Sequence, residues 1–285
     1  MLTIEWLDKV IVPPANTRMA HVIKPSAFPD LGDLFAFIRQ FILRLEITPE
    51  DDPDSRDVGT CFIYGRREMT GELFAGTAKH LIPDRPASWK IQRFDRLGKV
   101  DFQAIFTTKP GDDSYLTHKK RDIGWFLIHP SHARSFPEPS ESFPRFITLN
   151  TVLSEGSRVS WGGYAHQIAE RIGSPHLCYF EGSVSASYQS DDSGAYLLDG
   201  HVAHGVSGGP VWFWDNDAQM IKIAGVITEY CATESKSRLQ VPGFCVVEWI
   251  NPLLGYMEWW NRMALLPPDH PDRKGARTMK LPYER

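Results

Sequence analysis

The sequence lacks most features that would set it apart from an ordinary globular protein. Its 285 residues include only four cysteines, Cys61, Cys178, Cys231 and Cys245, with no CxxC pair and no metal-ligand spacing. No window approaches about eighteen continuous apolar residues, and the first residues lack the pattern of a secretory signal. The net charge of −4 argues against a nucleic-acid partner or a polybasic membrane surface. We therefore expect a cytoplasmic protein with reduced thiols, although the sequence alone leaves disulfide pairing open.

The first 57 residues predict an N-terminal extension in front of the main domain. Apolar residues recur at helical spacing over 31–45, with Asp33 near the start and Arg44 near the end, which is the order that the helix dipole favours. This pattern predicts an amphipathic helix that docks on another surface. Residues 48–57 are acidic and rich in turn formers, which favours a solvated loop over the alternative of a calcium site.

From Gly59 onward the pattern changes to short apolar runs separated by glycine, proline, asparagine and aspartate. Many short strands with turns between them indicate a β-sandwich or a β-barrel. The proline- and serine-rich stretch 129–145 is typical of a connector between two halves. Asn251-Pro252 predicts the start of a helix over about 252–265, and residues 266–285 read as a polar tail.

One short segment carries the strongest chemical signal. Residues 205–210 read Gly-Val-Ser-Gly-Gly-Pro, and they place Ser207 between residues that free the backbone and leave the hydroxyl accessible. A nucleophilic serine needs both this exposure and backbone N–H groups that point at the developing oxyanion. Alone, such a segment is equally typical of an ordinary loop.

Two further residues supply the partners that a nucleophilic serine needs. His80 follows the small-residue turn Thr77-Ala-Lys, and Asp122 opens the apolar run Ile-Gly-Trp-Phe-Leu-Ile. A serine triad requires a base that reaches the hydroxyl and a carboxylate that fixes the imidazole tautomer. The order along the chain is histidine, aspartate, serine, so each half of a two-barrel fold would supply part of the site.

With these motifs the chain from about 58 to 262 resembles a trypsin-like (chymotrypsin-fold) serine peptidase, most nearly the bacterial HtrA-like and related intracellular branch. The resemblance rests on the segments 77–80, 122–124 and 205–210, and it departs from the usual pattern at Lys79 and Gly124. It implies an all-β fold of two six-stranded antiparallel barrels, about 58–130 and 146–250, followed by a C-terminal helix. It also implies His80, Asp122 and Ser207 as the catalytic triad, with the N–H groups of Gly205 and Ser207 as the oxyanion hole.

The implied activity is that of a serine endopeptidase which cleaves a protein or peptide substrate and needs no cofactor and no metal. A catalytically silent or partner-activated pseudo-protease that binds peptides is the main alternative, and an esterase is a second. The pair His129 and His132 has no evident carboxylate or cysteine partner, so we expect no metal site there. Because an intracellular protease needs restraint, we expect the 1–57 extension or a regulatory protein partner to gate the activity.

Three residues are candidates for substrate binding through the resemblance. His201 lies six residues before Ser207, where trypsin carries the acid that binds lysine or arginine, so no trypsin-like basic preference is expected. Whether His201 favours acidic or polar residues or is a structural histidine stays open. Thr228 and Tyr230 would lie along the strand that pairs with an extended peptide, and Tyr230 would either narrow the pocket mouth or pack.

Val206 generates the first testable prediction. Digestive relatives carry an aspartate at this position, which captures the N-terminus freed by cleavage, and a valine side chain cannot form that ion pair. We therefore expect no zymogen activation by that route, so the purified full-length protein should not need a tryptic cut near residue 58 before it shows activity. A requirement for a tryptic cut near residue 58, seen in a before-and-after activity assay, would contradict this.

Overall fold

The computed structural model describes residues 31–265 with several gaps. The gaps are 67–70, 109–114, 119, 130, 132–144, 147–151, 191–192, 201, 219, 231–232, 235–239 and 242–243. The predicted polar tail and the first thirty residues of the predicted extension lie outside the described residues.

The first half of the chain forms a seven-stranded sheet in which every neighbouring pair is antiparallel. Its spatial order is β5-β4-β1-β2-β3-β7-β6. The strands are β1 (Ile42–Pro49), β2 (Asp57–Arg66), β3 (Leu73–Thr77), β4 (Ala87–Phe94), β5 (Val100–Thr108), β6 (Tyr115–Thr117) and β7 (Gly124–Ile128).

The two edges of this sheet approach each other through side chains. Trp89 on β4 is fully buried, and its ring centroid lies 5.8 Å from that of Phe106 on the neighbouring strand β5. The same ring lies 5.8 Å from Tyr115 and 5.1 Å from Phe126, which belong to β6 and β7 at the opposite end of the sheet. Among the described strands β5 and β6 are not paired. The predicted first barrel is therefore a half-barrel, curled around an aromatic core and not closed by hydrogen bonds.

The second half of the chain forms a closed barrel. Strands β12-β9-β10-β11-β16-β13 follow one another, and antiparallel pairing of β12 with β13 completes the ring of six. The short strand β8 adds to β13 in parallel, while β14 and β15 form a separate hairpin. The bounds are β8 (Arg145–Phe146), β9 (Arg158–Tyr164), β10 (Leu177–Ser190), β11 (Ser193–Leu198), β12 (Pro210–Asp215), β13 (Met220–Tyr230), β14 (Thr233–Glu234), β15 (Gln240–Val241) and β16 (Cys245–Trp249).

The helix predicted over 31–45 is shorter in the structure. Helix α1 (Leu31–Ile38) passes into a 3-10 turn at Arg39–Phe41, and the chain then becomes β1. Strand β1 pairs with both β2 and β4, so residues 42–49 are an interior strand of the first sheet and not part of an extension. Most of β1 is buried on both faces, which removes the alternation that marks a half-exposed strand.

A C-terminal helix ties the two halves together. After α2 (His166–Ile172) in the second half, helix α3 (Asn251–Leu265) follows β16 and returns to the first sheet. A Cβ atom at Gly65 would lie 2.5 Å from Met257 Sδ, and one at Gly76 would lie 2.7 Å from Leu253 Cδ1. The helix therefore packs directly on glycines of β2 and β3. No helix among the described residues is long and apolar enough to cross a membrane.

A buried carboxylate on β1 is surrounded by cations. Glu46 is 8% exposed, and its oxygens lie 2.6 Å from Arg44 Nη1, 3.7 Å from Arg56 Nη1 and 3.8 Å from Lys90 Nζ. Burial raises the pKa of Glu46, but the hydrogen bond from Arg44 and the charges of Arg44, Lys90 and Arg56 together outweigh it and hold the pKa below its ordinary value. The ionised form is thus the one that the folded protein stabilises.

Replacing Glu46 with Gln should destabilise the protein at neutral pH by about 1–3 kcal/mol, because three cations lose the negative charge that they surround. Since the folded-state pKa is lowered, this stability is present above the ordinary glutamate value of 4.5 and is lost as pH falls through the folded value. Urea unfolding of the two proteins should therefore converge in acid. Glu50→Gln, at an exposed position beside β1, is the control. If the parent and Glu46→Gln differed in unfolding free energy by the same amount from pH 3 to pH 8, the prediction would be contradicted.

Candidate active site

His80 and Asp122 meet because of the strand register. Strands β3 and β7 are antiparallel with Thr77 opposite Gly124, so the chain just after β3 lies beside the chain just before β7. His80 lies in the 3-10 turn Lys79–Leu81, and its backbone N–H donates to Asp122 Oδ1 at 2.8 Å. Its Nδ1 lies 2.6 Å from Asp122 Oδ2. Both carboxylate oxygens are thus engaged by one histidine, and Nε2 is left as the second ring nitrogen.

The pair remains accessible to solvent. The side chains of His80 and Asp122 are 46% and 34% exposed. A carboxylate bonded to Nδ1 fixes the tautomer in which Nδ1 carries the proton and Nε2 accepts one. The arrangement is chemically suited to remove a proton from a group that approaches the open side of the ring.

The loop that carries Ser207 is shaped by two glycines with positive φ. Gly205 has φ +95° and is buried, and a Cβ atom there would lie 2.5 Å from the carbonyl oxygen of Tyr164. Gly208 has φ +86°, and a Cβ atom there would collide with the carbonyl oxygen of Thr60. Only glycine combines this backbone conformation with such close approach. Ser207 between them is partly exposed.

Thr60, on β2 of the first sheet, holds this loop from the other half of the molecule. Its backbone N–H donates to the carbonyl oxygen of Ser207 at 2.8 Å, and its hydroxyl donates to that of Gly205, also at 2.8 Å. The same hydroxyl accepts the N–H of Tyr164 at 3.0 Å, while the Thr77 hydroxyl donates to the Thr60 carbonyl at 2.8 Å. Thr60 is fully buried, so these bonds are shielded from water.

The peptide group before Gly205 is also held. The carbonyl of His204 accepts the N–H of His166, the first residue of α2, at 2.8 Å. Because N–H and C=O point in opposite directions across a trans peptide, the Gly205 N–H faces away from α2. Among the described residues neither Gly205 N–H nor Ser207 N–H donates to a protein acceptor. Two N–H groups are thus left for a ligand oxygen.

The serine loop lies beside the turn that carries His80. Gly208 follows Ser207, and Ala78 lies two residues before His80. A Cβ atom at Gly208 would lie 3.1 Å from the backbone nitrogen of Ala78. Within the described chain the Ser207 hydroxyl forms no hydrogen bond with the His80 ring. Such bonds are often long or poorly aligned in ligand-free sites.

Val206 is fully buried in the core that the two halves share. The backbone around it is tightly packed, since a Cβ atom at Gly163 would lie 2.8 Å from both Val206 Cα and Cγ1. The side chain before the serine therefore anchors the loop by apolar packing.

The residues predicted to bind substrate are only partly described. His201 lies outside the described residues, and of Tyr230 only the backbone is described. Thr228 is 5% exposed, and its hydroxyl donates to the carbonyl of Val246 at 3.4 Å, so its side chain faces the barrel wall. The backbone of this segment, unlike the Thr228 side chain, has an edge that no described strand covers. Residues 228–230 have β16 on one edge of β13, and no described strand pairs with the other edge beyond Ile227.

Neither the described cysteines nor His129 forms a hydrogen bond with His80, Asp122 or Ser207. No disulfide joins any two of the described cysteines Cys61, Cys178 and Cys245, and Cys231 lies outside the described residues. His129 Nδ1 contacts the Ser131 hydroxyl at 2.9 Å, while His132 is not described. Within the described ranges no group of three potential metal ligands comes together.

Two residues of the site were not foreseen from sequence. Thr60 lies far along the chain from the loop that it binds, so no local pattern marks it. The carboxylate of Glu248 on β16 lies 3.9 Å from Nη1 of Arg121, the residue before Asp122. An acidic residue within an otherwise apolar terminal strand was the available signal for Glu248.

The closed barrel, the half-barrel and the C-terminal helix define a chymotrypsin-like double-barrel fold. No protein-family model matches the chain, and no curated protein matches it. Among solved structures 399 chains match. One is the crystal structure of the active form of the Rv3671c protease from M. tuberculosis, which is 14% identical, with a TM-score of 0.48 over 88% of this chain and 93% of that chain.

Replacing Thr60 with Val should loosen the serine loop, because it removes the hydroxyl that bonds Gly205 and Tyr164 in a buried place. We expect a loss of about 1–3 kcal/mol in unfolding free energy. We also expect a fall of about 10- to 100-fold in the rate at which a fluorophosphonate probe, a reagent for nucleophilic serines, labels Ser207. Thr60→Ser keeps the hydroxyl and is the matched control. Equal labelling rates in the two variants would show that the hydroxyl has no part in holding the loop.

Proposed function

We propose that this protein is a serine endopeptidase. Ser207 attacks the peptide carbonyl while His80 takes its proton through Nε2, and Asp122 orients the ring and stabilises the imidazolium. The imidazolium then protonates the leaving amine as the carbon–nitrogen bond breaks, which leaves an acyl-enzyme. Water, deprotonated by His80, attacks this ester and releases the acid and the serine hydroxyl.

One observation carries the proposal. Both oxygens of Asp122 bond to His80, one to the backbone N–H at 2.8 Å and one to Nδ1 at 2.6 Å. A simple surface ion pair would not need the backbone contact. These two hydrogen bonds fix the orientation of the imidazole and leave Nε2 free to accept a proton.

The N–H groups of Gly205 and Ser207 are the proposed oxyanion hole. Support comes from the bond between the His204 carbonyl and the His166 N–H, which keeps a carbonyl from turning toward the ligand oxygen. Backbone donors held in advance stabilise developing negative charge without reorganising during the reaction.

The open edge of β13 favours peptides over small esters as substrates. At residues 228–230 the backbone groups on one side of the strand face no described strand, so an extended peptide can pair with them. A short ester has no backbone with which to use that edge. The Thr228 side chain is turned away, so the contribution of this residue is proposed to be its backbone alone.

A pseudo-protease that binds peptides is the second candidate. It is favoured by the absence of a hydrogen bond between the Ser207 hydroxyl and the His80 ring in the described structure. In that case the same edge of β13 would hold a peptide, and no acyl-enzyme would form unless a partner moved the serine loop.

A fluorophosphonate probe tests the proposal directly. The purified protein should be labelled, and Ser207→Ala and His80→Ala should not, because the probe reacts only with an activated serine. Ser187→Ala, at an exposed site on β10, is the control and should label like the parent. If the parent is not labelled, the same assay in cell extract separates a partner-activated enzyme, which is then labelled, from a silent binding module.

A further inference from the structure

A histidine closes the turn that carries Asp122. The antiparallel strands β6 and β7 are joined by residues 118–123, and Asp122 lies near the end of this connection. His118 begins it, and its backbone N–H donates to the carbonyl oxygen of Ile123 at 2.8 Å. The position of Asp122 therefore depends on how this turn is folded, because Asp122 itself belongs to neither strand.

The side chain of His118 supplies an acceptor inside the same turn. Its Nδ1 accepts the backbone N–H of Arg121 at 3.1 Å and that of Lys120 at 3.3 Å. His118 is half-buried, and Arg121 immediately precedes Asp122. A side chain that bonds nearby backbone groups in this way fixes the course of the chain where the ladder of a sheet does not. One histidine thus engages three backbone groups of the turn, two N–H groups and one carbonyl.

Only the neutral ring of His118 can form the two side-chain bonds. An imidazole nitrogen accepts a hydrogen bond while it carries no proton, whereas the imidazolium carries a proton on both nitrogens. Histidine changes its charge within the range from about pH 5 to pH 8. The bonds from Lys120 and Arg121 are therefore present while the ring is neutral, and they are lost when the ring is protonated as the pH falls.

Other charged and titratable groups lie on the same turn and on the elements that contact it. Among the described residues they are Lys120, Arg121 and Asp122 on the turn, Lys79 and His80 on the 3-10 turn, and Glu248 on β16. Asp122 accepts the backbone N–H of His80 through one oxygen and contacts its Nδ1 through the other. Both contacts depend on where the turn holds the backbone of Asp122.

We propose that His118 is a positioning residue for Asp122 and that it holds the turn only in its neutral form. Because Asp122 orients the imidazole of His80, protonation of His118 disturbs the general base without contact with the substrate. This inference rests on the proposed function, in which His80 is the base. The enzyme then loses activity in acid for two separate reasons: His80 gains a proton, and His118 releases the turn.

Rates of labelling with a fluorophosphonate probe test the proposal in the parent, His118→Asn and His118→Ala. The side-chain oxygen of asparagine lies as many bonds from Cα as Nδ1 of histidine, so it can accept the same N–H groups, and it does not titrate. Protonation of His80 is common to all three proteins and cancels in the ratio of two rates. We expect the rate of the parent relative to His118→Asn to be about 1 at pH 8 and about 0.1 at pH 5. His118→Ala should be labelled about tenfold more slowly than His118→Asn at either pH.

His129→Asn is the matched control. Nδ1 of His129 also accepts a backbone N–H, that of Ser131 at 3.3 Å, but beyond the other end of β7. This variant should be labelled like the parent at each pH. Thermal unfolding separates slow labelling from loss of the fold, and if His118→Ala does not fold, the comparison of the parent with His118→Asn still decides. A ratio of these two rates that is the same at pH 5 and pH 8 overturns the proposal.

A readout that does not involve Ser207 keeps the inference separate from the proposed function. By NMR, the backbone N–H signals of Lys120 and Arg121 should respond to the protonation of His118 in the parent and not in His118→Asn. The N–H signal of His80, which donates to Asp122, should move at pH 8 in His118→Ala and not in His118→Asn. If the parent shows these responses but is never labelled, the proposed function fails and the role of His118 stands. If the Lys120 and Arg121 signals ignore pH in the parent, or the His80 signal is unmoved in His118→Ala, the role of His118 is overturned.

Discussion

The candidate site depends most on the buried hydrogen bonds that Thr60 forms through its backbone and its hydroxyl. Ser207 belongs to the closed barrel, whereas His80 and Asp122 belong to the half-barrel, and nothing local relates the two sets. Thr60 N–H and Oγ1 bond two carbonyls of the serine loop, and the Thr60 carbonyl accepts the hydroxyl of Thr77, three residues before His80. One residue thus fixes the serine loop relative to the strand that delivers the histidine. In the absence of water, each of these bonds is costly to break.

The glutamate on the other side of the site performs a related task. Thr60 reaches from the half-barrel into the serine loop, and Glu248 of the closed barrel lies 3.9 Å from Arg121, the residue before Asp122. Each half therefore contacts a segment of the candidate site that belongs to the other. Such reciprocal contacts matter for the candidate site, because a small shift between the halves would move the Ser207 hydroxyl relative to the imidazole of His80 and the carboxylate of Asp122.

The candidate triad could be predicted because short motifs mark its residues. Features that depend on contacts between residues far apart along the chain could not be predicted. The segments around His80, Asp122 and Ser207 carry their signal within six residues, so their residue types could be identified before any fold was known. The helix predicted over 31–45 was wrong beyond Ile38, because a strand buried on both faces shows no alternation and its apolar residues matched a helical stripe. The half-barrel, Thr60 and Glu248 depend on residues far apart along the chain, and no local pattern encodes such pairings. The roles of the triad residues remain predictions.

Helix α3 covers part of the half-barrel but is synthesised long after it. The glycine faces of β2 and β3 are covered by Met257 and Leu253, which are made almost two hundred residues later than the strands that they cover. Domains usually begin to fold from the N-terminus as the chain emerges. Here the half-barrel keeps an uncovered apolar face until the closed barrel and α3 have been translated. A growing chain consequently cannot hold the segments that carry Ser207, His80 and Asp122 in their final arrangement before α3 has been made.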